Sequence, residues 1–96
     1  MREYELYLVI DVEAEEDEIG VIVDRVTRLI AGDGGQMTKV EARGKRRLAY
    51  PIRKKVESQD VLLIFQTSPQ ALPELERFLK LEEMVLRYLI VRTDEE

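Results

Sequence analysis

The segment 42–55, ARGKRRLAYPIRKK, concentrates positive charge in a pattern that could bind phosphate groups. It holds seven of the fifteen Lys and Arg residues and no acidic residue, although the whole chain has twenty acidic residues and a net charge of -5. The rest of the chain therefore carries eight cations against twenty acids, a balance of -12. Because phosphate binding depends on local Lys and Arg that displace counterions, only this segment could overcome the repulsion between an acidic protein and a nucleic acid.

Seven cationic side chains and one aromatic side chain are the candidate RNA-binding residues of this segment. The cations are Arg43, Lys45, Arg46, Arg47, Arg53, Lys54 and Lys55. Tyr50 lies among them and could stack on an unpaired base or a ribose, or merely cover a sheet edge. The alternative for the whole segment is a solvated strand that keeps the protein soluble, because most charge runs bind nothing. The complete absence of acidic residues favours a binding role.

Other kinds of chemistry have little support in the composition. The chain has no Cys and no His, which excludes thiolate chemistry and removes the usual neutral-pH base and the commonest zinc ligand. The acidic residues of segment 13–18 lack calcium-loop spacing and fit a helix N-terminus instead. The glycines of segment 32–35 follow a helix and are interpreted as its stop, not as a phosphate loop. We therefore expect no catalytic residue, no metal site and no cofactor.

The length predicts one small domain. A chain of 96 residues with 45% hydrophobic residues can bury one modest core and is too short for two. We expect a single domain over residues 1–96, in which residues 93–96 form an acidic frayed tail. No window approaches the roughly 20 apolar residues of a membrane span, and the N-terminus does not have the blocks of a signal sequence. These features indicate a cytoplasmic protein.

Hydrophobic periodicity predicts alternating strands and helices. Even-numbered apolar residues of segment 2–11 alternate with other residues as in a strand whose even face lies in a core. An apolar stripe of helical period follows the acidic segment 13–18. Pro51 forbids a helix nearby and indicates an edge or protruding strand. The predicted strands cover residues 2–11, 36–43, 61–67 and 85–92, and the second of them is extended by a segment over 46–53. The predicted helices run from the acidic residues to Gly32 and over about 70–80. A polar turn is predicted at 57–60.

The order βαββαβ predicts an α+β, ferredoxin-like fold with two helices on one face of a four-stranded antiparallel sheet. Right-handed crossovers place the first and third strands in the middle of the sheet. Two helices cover only one face, yet three strands are apolar on both sides. We therefore expect the other face, termed the open face, to bind a protein partner. Its candidate partner-binding residues are Tyr7, Val9, Leu62, Ile64, Leu89 and Val91.

Four stretches resemble the signatures of a known family. The opening MREYELYLVI, GKRRLAYPI at 44–52, LPELERFLKL at 72–81 and VLRYLIVR at 85–92 are similar, in order and spacing, to bacterial small-subunit ribosomal protein six. The resemblance spans the whole chain and implies a non-catalytic component of the small ribosomal subunit that binds ribosomal RNA and pairs with ribosomal protein eighteen. It also implies RNA contacts for Arg2, Arg87 and Arg92, which are weak signals as single residues because each could instead pair with an acidic neighbour.

Three classes of function compete for this sequence. An RNA-binding structural protein is the leading hypothesis, because of the cationic segment and the family resemblance. A homodimeric ferredoxin-like regulatory or interaction module is the alternative, and it would leave the cationic segment unused. An enzyme is the weakest hypothesis. The acylphosphatase-like catalysis that other proteins of this fold perform needs an Arg and an Asn around a phosphate-binding loop, and the chain has no Asn. Molecular size in solution would separate the first two.

Overall fold

The computed structural model describes residues 1–93, so residues 94–96 of the predicted tail lie outside the described residues. One four-stranded antiparallel sheet has the strand order β2-β3-β1-β4. This order confirms the ferredoxin-like fold and the two central strands. The elements are β1 (Arg2–Asp11), α1 (Glu16–Ala31), β2 (Gln36–Ile52), β3 (Lys55–Thr67), a 3-10 turn (Pro69–Ala71), α2 (Leu72–Leu81) and β4 (Val85–Arg92).

The helix-facing side of the sheet is built from the alternating residues of β1. Leu6, Leu8 and Ile10 are fully buried, as the alternation predicts. Leu6 lies opposite Leu63 of β3, which places the odd-numbered apolar residues of that strand on the same side. The core is therefore closed between this side of the sheet and the two helices.

Each helix begins where local chemistry favours it. At the start of α1 the amide of Glu15 donates a hydrogen bond to the Glu18 carboxylate at 2.8 Å. The acidic side chains of the first turn also stabilise the helix, because they lie at the positive end of its dipole. Pro73 lies in the first turn of α2, where its missing amide hydrogen breaks no helical bond. These ends orient apolar stripes towards the sheet, including Ile22 and Val26 of α1.

Strands β2 and β3 form one long hairpin, and its turn differs from the predicted one. The expected turn at 57–60 is wrong, because these residues belong to β3 and pair with β2, as Ser58 does with Arg46. The chain reverses at Arg53 and Lys54, which have positive φ values of 49° and 66°. Residues 57–60 are polar although they form a paired strand and not a loop. We term residues 43–58 the basic hairpin.

Irregular pairing shapes β2. The register shifts between Met37 and Lys39, near the start of this strand. A larger shift lies between Arg47 and Ile52, where four residues of β2 have only Val56 of β3 beside them. This irregular segment contains Pro51, which has no amide hydrogen to contribute to a ladder. The tip of the basic hairpin is thereby free to bend away from the plane of the sheet.

Candidate nucleic-acid and partner interface

The basic hairpin bends over the open face of the sheet. Near its tip, the hydroxyl of Tyr50 accepts a hydrogen bond from the guanidinium of Arg87 on β4. A cavity of about 250 Å³ lies between the hairpin and the sheet. Its lining is mostly apolar and comprises Tyr7, Val9, Leu48, Ala49, Tyr50, Ile52, Arg87, Tyr88 and Leu89. The structure therefore brings Tyr50 and Arg87 together at one site, at the border of the open face.

Four of the seven predicted cations are exposed and form no ion pair with a described residue. They are Lys45, Arg46, Arg47 and Lys54. Arg46 lies opposite Ser58, on the open-face side of the hairpin, and Lys54 lies in the turn. Glu57 lies opposite Arg47 across the hairpin but forms no ion pair with it, so this set gives the hairpin its available positive charge.

The other three cations are engaged within the protein. Arg43 pairs with Glu41 at 2.7 Å, and a guanidinium nitrogen of Arg53 donates to the backbone oxygen of Glu83 at 3.0 Å. Lys55 pairs with two carboxylates, and its hydrogen bond to Glu13 raises the pKa of its ammonium group. The uniform cationic segment of the sequence therefore consists of two sets with different surroundings.

Of the three predicted RNA-binding arginines outside the cationic segment, only Arg87 lies near the basic hairpin. Arg87 lies opposite Val9 at the hairpin end of the sheet. Arg2 begins β1 at the other end, and eight residues of extended strand, roughly 27 Å, separate it from Ile10. Arg92 is half-buried beside Tyr4, on the helix-facing side of that same far end. Arg2 and Arg92 therefore belong to a different part of the surface from the hairpin.

The six predicted partner-binding residues share the open face, but their exposure differs. Tyr7 lies opposite both Leu62 and Leu89, which fixes the common side. Leu62 is buried, whereas Leu89 and Val91 on the edge strand β4 are 60% and 46% exposed. The remaining members of the set, Tyr7, Val9 and Ile64, are half-buried. The uncovered apolar surface is therefore concentrated along β4 and is smaller than the sequence suggested.

A hydrogen-bonded carboxylate lies in the middle of the open face. Asp60 is buried, and its two oxygens accept hydrogen bonds from the Tyr7 hydroxyl at 2.5 Å and the Ser58 hydroxyl at 2.7 Å. Burial raises the pKa of Tyr7, and its hydrogen bond to Asp60 raises the pKa further, against a smaller opposing effect of Arg46 and Arg43. This network keeps the face partly polar beside its apolar edge.

Sequence reasoning missed the Asp60 network and the cavity, although each leaves a signal. Asp60 is the one acidic residue at an open-face position of β3, in line with Leu62 and Ile64, and such an interruption indicates a specific polar contact. Leu48, Tyr50 and Ile52 alternate, which predicts one apolar side of the hairpin. By contrast, no pattern within the segment distinguishes Lys54 from Lys55.

Within residues 1–93, no group of three or more Cys, Asp or Glu side chains is arranged to hold a metal ion. In the same part of the chain, the helices are too short or too polar for any of them to cross a membrane.

Comparison with known proteins identifies the family. The family model for Ribosomal protein S6 matches residues 3–92. The small ribosomal subunit protein bS6 of Moorella thermoacetica is 44% identical over 96 residues, covering 100% of this chain and 98% of that protein. The bS6 protein of Caldanaerobacter subterraneus is also 44% identical, over 99% of this chain and 100% of its own length. The crystal structure of 30S ribosomal protein S6 from Thermotoga maritima superposes with a TM-score of 0.86 at 32% identity, covering 96% of this chain and 87% of that one. The chain therefore belongs to the ribosomal protein S6 family of the bacterial small ribosomal subunit.

Proposed function

We propose that this chain binds small-subunit ribosomal RNA through the exposed cations of the basic hairpin and pairs with ribosomal protein eighteen through its open face. The observation that carries the proposal is a set of four exposed cations on one hairpin, none of which forms an ion pair with a described acidic residue: Lys45, Arg46, Arg47 and Lys54. Each can replace a counterion at a phosphate, which is the main source of affinity for RNA.

Tyr50 and Arg87 extend this surface with a group suited to bases. The Tyr50 side chain is 56% exposed, and Arg87 holds its hydroxyl. A ring held in this way loses little freedom when a base or ribose stacks on it. The pair lies beside the cations of the hairpin, so one RNA strand can contact phosphate-binding and stacking groups together.

The edge strand β4 supports the protein-binding half of the proposal. Leu89 and Val91 point to the same side of the sheet and are both substantially exposed. Leu89 also lines the cavity under the hairpin, so the exposed apolar edge continues into a recess. A partner that covers this edge would bury apolar surface from both proteins and stabilise the complex.

The two surfaces belong to one function because of charge. Outside the cationic segment the chain carries eight cations against twenty acids, so its body repels RNA. A basic partner on the open face would enlarge the positive surface, and the contacts of both proteins would then act within one rigid body. As a small ribosomal subunit protein, the chain associates with the ribosome and its RNA.

The exposed apolar edge also favours a second candidate, a homodimer that buries this edge against its own copy. Leu89 and Val91 are the observation in its favour. Light scattering of the isolated protein at micromolar concentration separates the candidates. A stable dimer that the Leu89→Gln variant disrupts would support the second candidate.

The proposal is tested by removing two exposed cations, Arg46→Ala and Arg47→Ala together. Loss of two phosphate contacts should flatten the log–log salt dependence of RNA binding by about 1.4 to 1.8 units. The control is the double variant Arg28→Ala and Arg77→Ala, which removes the same charge from exposed helix positions. Filter binding at several salt concentrations measures both slopes. An unchanged slope in the hairpin variant would exclude the basic hairpin as the RNA site.

A further inference from the structure

Lys55 lies directly after the turn of the basic hairpin, between two acidic side chains. Its ammonium nitrogen is 3.6 Å from a carboxylate oxygen of Asp11 and forms a hydrogen bond with Glu13. The Lys55 side chain is only 30% exposed. The positive charge of Lys55 is therefore neutralised within the protein by two carboxylates.

The backbone segment that carries the two carboxylates is held in place by hydrogen bonds. The side-chain amide of Gln59 donates to the backbone oxygens of Asp11 at 3.3 Å, Val12 at 2.8 Å and Ala14 at 2.8 Å. The amide of Glu13 donates to the Asp11 carboxylate at 3.0 Å. Because Gln59 belongs to β3, this segment is fixed to the same strand that carries Lys55. The Asp11 carboxylate and the backbone of Glu13 are therefore preorganised for Lys55.

Two further contacts join the hairpin to other parts of the protein. Arg53 donates to the backbone oxygen of Glu83, in the connection between α2 and β4. Tyr50 accepts a hydrogen bond from Arg87 on β4. Together with Lys55, these contacts reach three separate segments outside the hairpin, so they restrict the direction in which it points.

We infer that Lys55, held by Asp11 and Glu13, is a positioning residue that fixes the basic hairpin over the open face, and that it does not contact phosphate. This inference rests on the proposed function and revises one expectation, since the sequence grouped Lys55 with the RNA-binding cations. A hairpin that is already fixed needs less ordering when RNA binds. Lys55 therefore contributes to RNA affinity through the position of its exposed neighbours.

The neighbouring lysines provide a matched experiment with the full chain, using Lys55→Met and Lys54→Met. Amide hydrogen exchange in the free protein should become about two- to fivefold faster in the basic hairpin for Lys55→Met, because an ion pair of this kind is lost. Exchange in Lys54→Met should match the unmodified protein, because Lys54 forms no ion pair with a described residue.

RNA binding by the same variants separates a positioning role from a contact. Lys55→Met should lower affinity for a small-subunit ribosomal RNA fragment by a similar factor at every salt concentration, with an unchanged slope. Lys54→Met should flatten the slope by about 0.7 to 0.9 units. Lys55→Arg should restore both exchange and affinity, since Arg can pair with the same carboxylates.

The inference is overturned if Lys55→Met flattens the slope as Lys54→Met does and leaves hairpin exchange unchanged. Failure of the proposed function has a different signature, because then the Arg46 and Arg47 variant would leave the salt slope unchanged too. The exchange measurement needs no RNA, so it tests the positioning role in either case.

Discussion

Tyr7, Asp60 and Ser58 show how a charged group is accommodated on the open face. A buried carboxylate without hydrogen bonds would be strongly destabilising. Here both oxygens of Asp60 accept a hydroxyl hydrogen bond, and the Tyr7 ring lies between Leu62 and Leu89 on the neighbouring strands. The network therefore links the first and third strands.

Tyr7→Phe removes one of these hydrogen bonds and keeps the ring. We expect the free energy of unfolding at pH 7 to fall by about 1–2 kcal/mol, because the buried Asp60 carboxylate loses a donor. Urea denaturation with fluorescence or circular dichroism measures the change. No loss of stability would show that Asp60 finds another donor at no cost.

The pH dependence of the same variant tests the cause. Burial and the Asp60 hydrogen bond raise the pKa of Tyr7 above its unfolded value. The corresponding stability is fully present below the unfolded pKa, about 10, and is lost as the pH rises through the folded pKa. The difference between the unmodified protein and Tyr7→Phe should therefore shrink above pH 10. Both proteins should still lose stability there, because burial also raises the pKa of Tyr88.

Residue types were predictable from the sequence, but their partners were not. Lys54 and Lys55 are identical in type and adjacent, yet only Lys55 meets Asp11 and Glu13. Those carboxylates are more than forty positions away in the chain and reach Lys55 through the pairing of β1 with β3. Such a contact is a property of the tertiary structure and leaves no local signal.

At the scale of elements, two glycines have very different surroundings, one within helix α1 and one in the segment that follows it. Gly20 lies exposed in α1, and a Cβ atom there would meet nothing within 4 Å. At Gly35 a Cβ atom would lie 2.5 Å from the backbone oxygen of Gln66 and 2.7 Å from that of Ile30. Gly35 therefore permits the close approach between the end of α1 and the end of β3.

Alanine at these two positions should have opposite effects. Gly20→Ala should raise the free energy of unfolding by about 0.5–1 kcal/mol, because it lowers the entropy of the unfolded helix segment. Gly35→Ala should lower it by about 1–3 kcal/mol, because backbone atoms must shift. Thermal and urea denaturation compare the two. Equal effects would contradict the close packing described for Gly35.

The elements with local periodicity were predicted well. The alternation of β1 and the apolar stripe of α1 lie in the sequence itself, and both proved to face the core. The hairpin turn was missed because Arg53 and Lys54 adopt positive φ values that usually indicate Gly or Asn. The hairpin's bend over the sheet depends on contacts with Glu83 and Arg87, which no local pattern encodes.

At the scale of the whole molecule, charge is separated between an acidic body and one cationic hairpin. Membership of the bacterial small-subunit family places the chain in the cytoplasm, as part of the ribosome, and among structural proteins instead of enzymes. The helices cover one side of the sheet, and the hairpin and the exposed edge of β4 share the other. RNA and protein partners can therefore approach from the same side of the molecule.

This arrangement predicts cooperation between the two partners. One small cationic surface on an acidic protein gives weak RNA binding at physiological salt. A basic protein on the open face would add its contacts to those of the hairpin, and coupling between two sites commonly changes affinity by about 5- to 150-fold. By linkage, RNA must increase the affinity of the two proteins for each other by the same factor.

The most direct test is a titration of labelled small-subunit ribosomal RNA with this protein, alone and with ribosomal protein eighteen at saturating concentration. We predict that the partner increases affinity at least about tenfold, or roughly 1.4 kcal/mol. Leu89→Gln, on the exposed edge of β4, should reduce this increase, whereas Leu81→Gln, which is also exposed but lies at the end of α2, should leave it unchanged. Tight binding by the lone protein that the partner does not alter would contradict the proposed pairing of the two surfaces.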